Sequence, residues 1–491
     1  MSDSPPGRLV VGPFNRVEGD LEVRLDVADG RVQKAEVTAP MYRGFETMLH
    51  GRDPHDALVI VPRICGICSV SQSVAAARAL AGVSGVVPPP NGAHATNLML
   101  ACENLADHLT HFYLFFMPDF ARADYAARPW HAEVVQRFAA LAGVNARAAV
   151  AARQRWFTLL GTLGGKWPHT QSVQPGGSAR AVGASERLRL LATVREFRAF
   201  LEATLFGDEL EAVAALGSQA ELDAWHAHSP TRGDLRLFLT VAEDLGLATL
   251  GHGPGRYLSY GAYRSATGEH ALPPGLFDAA SGELRTVDTD QIREDATHAW
   301  LKGDGGDARH PRDGITLPDA DKPGAYTWNK APRLAGRVVE TGALARQLVS
   351  GHPLLRDVVA RRGGGVQARV LARLLELARV VPWAEQWLAE LKPGEPFHTT
   401  ADWPADGDGV GLTEAARGAL GHWLSMRHGR IANYQIVAPT SWNFSPRDAQ
   451  GTPGALEMAL EGVAVAPGDP SPVAVQHVVR SFDPCMVCTV H

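Results

Sequence analysis

The sequence predicts an α+β protein, predominantly α, built as one intertwined unit over residues 1–491 with a long-helix core and small peripheral sheets. Three observations carry this. Apolar residues recur at helical spacing through the central part of the chain. An alternating stretch at 8–40 and a Gly-, Pro- and Asp-rich tract from about 250 to 335 leave room only for short strands. The two close cysteine pairs, Cys65/Cys68 and Cys485/Cys488, lie at opposite ends of the 491 residues, so a site made by both would draw the ends together.

In chain order, Leu21, Val23, Leu25 and Val27 alternate with Glu22, Arg24 and Asp26, and Ala28-Asp29-Gly30 supplies a turn, so 8–40 reads as a hairpin. Pro62 breaks the chain before Cys65, and the Ala-rich run Ser69 to Ala81 reads as a helix with Cys68 at its N-terminus, where the dipole favours a thiolate. Leu98, Leu100, Leu105, Leu109, Phe112 and Phe116 predict a long helix from Thr96 to Phe120, ended by Pro118. By itself that pattern puts Asp107, His108 and His111 on a solvated or hydrogen-bonded face, and Cys102 in the core. Further helices are expected at 132–163, 183–217 and 232–247, then from Ala343 to Leu391 and from Glu414 to Trp423.

Composition narrows the function classes. A net charge of −6 gives no electrostatic case for nucleic acid. No basic segment followed by an apolar run opens the chain, and no stretch of roughly 18 apolar residues occurs, so a soluble, cytoplasmic protein without a transmembrane segment is expected. Export bound to a partner that carries a signal stays compatible with that. Four of the five cysteines sit in the two C-x-x-C pairs, which suits metal or redox use better than a secreted disulfide framework. From spacing alone a structural zinc site remains open. Zinc of that kind usually staples short, nearby segments lacking a core, and here several hundred residues separate the pairs.

The surroundings of the pairs decide. Arg16-Val17-Glu18-Gly19, Arg63-Ile64-Cys65-Gly66-Ile67-Cys68, Asp107-His108-Leu109-Thr110-His111-Phe112-Tyr113, Tyr326 to Arg333, Glu414 to Trp423 and Asp483-Pro484-Cys485-Met486-Val487-Cys488-Thr489-Val490-His491 together resemble the large subunit of nickel-iron hydrogenases. These blocks run from one end of the chain to the other.

The resemblance implies that fold and a nickel-iron centre whose iron carries two cyanides and one carbon monoxide. Cys65 and Cys485 would be terminal on nickel, with Cys68 and Cys488 bridging to iron. Soft thiolates suit nickel, and the Cys485 sulfur becomes the expected proton acceptor when dihydrogen is split. Arg417 is expected over the metals, held by Asp107 and Asp483 because a planar fork needs carboxylates. Glu18 would relay the proton outwards, which lifts it above the solvated loop acid it would otherwise be. Ser441 would donate to a cyanide. A magnesium ion is expected on Glu46, His491 and the backbone carbonyl of Val437.

Because no cysteine is left over for a cluster, the resemblance implies a small iron-sulfur partner subunit in an obligate heterodimer. Catalytic members carry a histidine four residues after Cys68, and here that position is Gln72. Together with the chain end at His491, Gln72 leads to the expectation of a slow, regulatory hydrogenase that senses dihydrogen and signals to a histidine kinase. A high-turnover uptake enzyme is the alternative.

Overall fold

The computed structural model describes residues 7–303 and 308–489. It opens on an antiparallel sheet of β1 (Gly7–Val11), β2 (Glu22–Ala28) and β3 (Arg31–Thr38), in that order. The expected hairpin is thus a three-stranded meander. Its β2–β3 turn places Asp29 and Gly30 at φ of +50° and +68°, the left-handed pair that a tight Asp-Gly turn requires. Val23, Leu25, Val32 and Val37 bury its inner face.

Helix α1 (Ser69–Ser84) starts directly after Cys68 and stops at Gly85, whose φ of +73° suits a glycine C-cap. Helix α2 (Pro90–Thr110) begins earlier than apolar spacing suggests, because Pro90 is pre-organised for a first helical position. Past Thr110 it widens into a π turn, His111–Phe116, and then a 3-10 turn, Met117–Ala121, containing Pro118. The helix expected over 132–163 is three, His131–Phe138, Val144–Trp156 and Thr158–Gly164. The first break is enforced at Gly143, where a Cβ would lie 2.4 Å from the Arg137 carbonyl.

The 183–217 segment divides into α3 (Ala184–Phe200), a π turn and Leu210–Ala214, and 232–247 contains Asp234–Asp244. Residues 250–303 and 308–335 form short strands and loops, as their composition indicates. The long tract from Ala343 splits at its Pro and Gly residues into α4 (Ala343–Val349), Pro353–Arg362 and α5 (Val366–Glu390). Helices α2 and α5 pack on one another and are buried over most of their length, forming the middle of the core. No helix among the described residues is long and apolar enough to cross a membrane.

One expected helix is absent. Glu414 to Trp423 lies in a β-meander of β4 (Gly407–Ala415), β5 (Gly418–Arg427) and β6 (Arg430–Val437). Nearly every residue from Thr413 to Leu424 is buried, so no in-out alternation marks the strands and the apolar run mimics a helix. The glycines reveal the true arrangement: a Cβ at Gly409 would sit 2.0 Å from the Ala79 carbonyl, and one at Gly411 1.8 Å from that of Ala75. Helix α1 therefore lies against the bare backbone of β4. This contact sets the distance between Cys68, at the start of α1, and the β4–β5 turn. After β6 the chain runs through α6 (Val473–Ser481) to a final turn, Met486–Thr489.

Gly411→Ala is expected to lower the melting temperature sharply, since neither backbone can yield cheaply and overpacking costs roughly 1–3 kcal/mol or more. An unchanged melting temperature would show that α1 does not depend on this approach.

Candidate metal centre

The two chain ends meet through backbone pairing. Glu18 forms a parallel bridge with Cys485, the Met486 N–H donating to the Glu18 carbonyl at 2.7 Å and the Glu18 N–H to that of Pro484 at 3.3 Å. On the other side α1 brings Cys68. The four sulfurs of Cys65, Cys68, Cys485 and Cys488 all lie within 4.8 Å of one another and are buried. Cys65 and Cys485 are 3.3 Å apart, Cys68 and Cys488 3.2 Å, and Cys485 and Cys488 3.1 Å. These separations exceed a disulfide bond of about 2.05 Å and suit sulfurs sharing metal ions at bond lengths of about 2.3 Å.

Four thiols this close cannot all ionise unaided in the interior. The S–H groups of Cys485, Cys488 and Cys68 hold the Cys65 thiol well below its ordinary range, while contact with Cys485 and Cys488 pushes Cys68 well up. A soft cation relieves that conflict by taking every sulfur as a thiolate, so the donor set fits a nickel-iron group.

Arg417 stands in the β4–β5 turn with its guanidinium buried. Its Nη1 donates to Asp107 Oδ2 at 2.6 Å and its Nη2 to Asp483 Oδ1 at 3.1 Å, while Nε donates to the Asp483 carbonyl at 3.0 Å. Asp483 presents both acceptors because it sits at φ +57°, a left-handed conformation that Asp tolerates better than most residues. Burial opposes the charge on Arg417, but Asp107 and Asp483 more than offset it, helped by Cys485 and Cys65. Half-buried Glu18 has its carboxyl pushed up, by burial first and then by Cys65, while Arg417 works against the rise.

Gln72 is buried on the first turn of α1, its Oε1 2.8 Å from His422 Nε2, whose Nδ1 is 2.7 Å from the Tyr434 hydroxyl. The Gln72 side-chain nitrogen has no protein partner among the described residues, and neither has the Ser441 hydroxyl. Ser441 lies on the short helix Pro439–Asn443, which packs against the Met486–Thr489 turn. Glu46 accepts from the Ile436 N–H at 2.7 Å and from the Thr316 hydroxyl, beside Val437 in β6. Two of the three expected magnesium donors are therefore close in the chain fold. The third, His491, lies outside the described residues.

Of the solvated or hydrogen-bonded face expected for Asp107, His108 and His111, the hydrogen-bonded form holds, as all three are buried. Their α2 is enclosed, so each polar group has a specific partner: Asp107 meets Arg417, His108 Nε2 is 3.1 Å from Glu376 Oε1, and His111 Nε2 is 2.7 Å from the Arg480 carbonyl. Sequence reasoning missed Arg346 altogether. From α4 this fully buried guanidinium donates to the carbonyls of Ala415 and Ala416 at 2.8 and 3.1 Å, and to the carboxylates of Glu414 and Glu376. It thereby clamps the turn that presents Arg417. The available signal was a single charge in each of two apolar helical runs, Arg346 in Ala343–Val349 and Glu376 in Leu374-Leu375-Glu376-Leu377.

The profile of the family described as nickel-dependent hydrogenase matches residues 43–137 and 145–491. The chain belongs to that family. It is 30% identical over 523 residues to the periplasmic [NiFeSe] hydrogenase large subunit of Desulfomicrobium baculatum, covering 99% of this chain and 95% of the relative. The hydrogenase-1 large chain of Escherichia coli is also 30% identical, with the same coverage, and the uptake hydrogenase large subunit of Rhodobacter capsulatus 28%, covering 100% of this chain and 96% of the relative. Among solved structures, a reduced, active form of the Ni-Fe-Se hydrogenase from D. baculatum superposes with a TM-score of 0.85 at 28% identity, covering 99% of this chain and 100% of that one. The fold is that of the nickel-iron hydrogenase large subunit, mainly helical with small sheets, as the sequence predicts.

Glu376 supplies a test of the clamp. Burial raises its carboxyl, but Arg346 and then His108 bring it down to about 2 from an ordinary 4.5. A depressed carboxylate contributes stability above its unfolded value and loses it as pH falls through the folded one. Glu376→Gln is expected to cost about 3–5 kcal/mol at neutral pH, as for removal of one member of a buried pair. The melting-temperature gap to the parent should narrow as pH falls from 4.5 towards 2, and a gap independent of pH would contradict the ion pair.

Proposed function

We propose that this chain is the dihydrogen-converting large subunit of a heterodimeric uptake hydrogenase, folded as one intertwined unit whose N-terminal meander and C-terminal segment close on the metals. The observation that carries it is the buried four-sulfur cluster contributed by both chain ends, with the Arg417 guanidinium held beside it. Cys65 and Cys485 would hold nickel alone, and Cys68 and Cys488 would share it with an iron bearing two cyanides and one carbon monoxide. When bound, the metals supply the Lewis acidity and redox capacity for heterolytic dihydrogen cleavage.

The chain's own groups handle the proton and the orientation. Cys485 Sγ receives the proton, and Glu18, tied to Cys485 through the backbone, passes it outwards; its raised carboxyl can hold a proton nearer to neutral pH. Asp107 and Asp483 fix the plane of Arg417, which keeps a permanent positive charge beside the reacting centre. Ser441 and Gln72 each keep a free donor for the diatomic ligands or a sulfur. Glu46, the Val437 carbonyl and His491 would hold magnesium.

All cysteines but Cys102 belong to the cluster, and Cys102 is buried on α2, donating to the Trp156 carbonyl. Electrons would therefore leave through iron-sulfur clusters of a small partner subunit. One relative is named periplasmic, and the compartment of this chain would follow from any signal that the partner carries rather than being cytoplasmic by default.

Of the relatives above, one is named a periplasmic and one an uptake hydrogenase, which favours turnover over sensing. Gln72 is the one observation that favours the second reading, a sensor coupled to a histidine kinase. Its Oε1 lies on His422, and a neutral amide cannot exchange a proton as an imidazole would.

Elemental analysis of the purified heterodimer, with an infrared search for cyanide and carbon monoxide stretches, tests the centre; zinc without iron would refute it. The same preparation is expected to oxidise dihydrogen at or above ~10 per second, the usual enzyme range, and rates far below that would return the sensor reading. Arg417→Lys should retain the metals yet lose activity by roughly 100-fold, because a point charge cannot replace the planar fork. Full activity in that variant would reduce the arginine to a structural role.

A further inference from the structure

Away from the metal centre, a cavity of about 720 Å³ opens between α1, the start of α2, the 173–177 segment and the strand pair Ala262–Arg264 and His270–Leu272. Its volume falls within the range of small-molecule pockets and is far larger than a few waters require. Val74, Val86, Pro88 and Val410 supply apolar wall. None of its lining residues is acidic, whereas Arg78, Arg264 and His270 all line it.

The three basic groups are placed by the fold. Arg264 and His270 are register partners across their two strands, so both side chains lie on the same face. The Arg264 carbonyl accepts from Asn97 Nδ2 at 3.0 Å, which anchors that strand to α2. From α1, Arg78 donates one N–H to the Leu412 carbonyl at 2.6 Å. No carboxylate among the described residues pairs with Arg78 or Arg264. The positive field is uncompensated: burial and then Arg264 push the Arg78 guanidinium down to about 10, and burial with Arg78 and Arg264 pushes the His270 imidazole down to about 4.

Half-buried Arg78 and exposed Arg264 thus turn two guanidiniums on one cavity with no carboxylate among the described residues on either, a set that an anion completes. Guanidinium forks match phosphate and carboxylate oxygens in pairs. We propose that this cavity is a binding site for a small organic anion, a phosphate monoester or dicarboxylate, whose acidic group lies between Arg78 and Arg264 and whose apolar body fills the space towards Val74 and Val86. The site is independent of the metal chemistry.

The test is calorimetric titration of the purified holoenzyme with phenyl phosphate, phthalate, inorganic phosphate and, as a neutral control, phenol. Saturable binding of phenyl phosphate or phthalate below 1 mM, at least tenfold tighter than inorganic phosphate and absent for phenol, is the expected result, and the tighter of the two identifies the acidic group. Arg78→Gln and Arg264→Gln should each weaken that binding at least tenfold, and Arg264→Gln, at an exposed position, should leave dihydrogen oxidation unchanged. No saturation by either organic probe, or equal affinity in both variants, overturns the proposal; binding of inorganic phosphate as tight as that of phenyl phosphate overturns the organic body.

Discussion

The buried pairing of Arg417 with Asp107 and Asp483 is the constraint on which the rest of the structure depends. Its three members come from the β4–β5 turn, from α2 and from the C-terminal segment, with 310 positions between Asp107 and Arg417 and 66 between Arg417 and Asp483. A guanidinium in the interior is tolerable only with its charge met, and removing one partner strands the other. The three segments must therefore arrive together. Once they do, Cys485 and Cys488 follow Asp483 within five residues, and the sulfur cluster closes.

Around that pair lies a shell of further buried ions, each fastening a segment that carries a site residue. Arg346 holds the carbonyls before Arg417, and its charge is met by Glu376 and Glu414. Arg369 pairs with Glu340 and reaches the Ser481 hydroxyl, two residues before Asp483. Arg480 pairs with Asp119 and donates to Asn15, just ahead of the Glu18 loop. Such pairs contribute little net stability against an apolar replacement but are strict about geometry. That suits a centre whose proton and metal chemistry tolerates little displacement.

The contact of α1 with the glycines of β4 does by van der Waals exclusion what the ion pairs do by charge. It sets the backbone of α1 directly on that of β4 at Gly409 and Gly411, and so fixes the separation of the elements that carry Cys68 and the Arg417 turn. The same helix later forms one wall of the basic cavity through Arg78. The proposed anion site and the metal centre thus share a rigid element without sharing a residue.

The sequence by itself determined that two C-x-x-C pairs in a cysteine-poor chain serve metal or redox use, because that spacing is local. The nickel-iron assignment and the roles of Arg417, Asp107 and Asp483 rested on the resemblance of whole blocks, and the N-terminal strands show their period of two openly, though as a hairpin rather than a three-stranded meander. The tertiary structure alone decided what depends on partners hundreds of residues away. Arg346 and Glu376 looked like lone charges in apolar helices because the carbonyls and carboxylates they meet lie on other elements. Glu414 to Trp423 looked helical because strands buried on both faces lose their alternation, and only the backbone contact of Gly409 and Gly411 with α1 explains them. Gln72 was visible as a departure from the family pattern, but its bond to His422, 350 positions away, has no local trace. Local periodicity records which face of an element is buried; it carries no record of what that face is buried against.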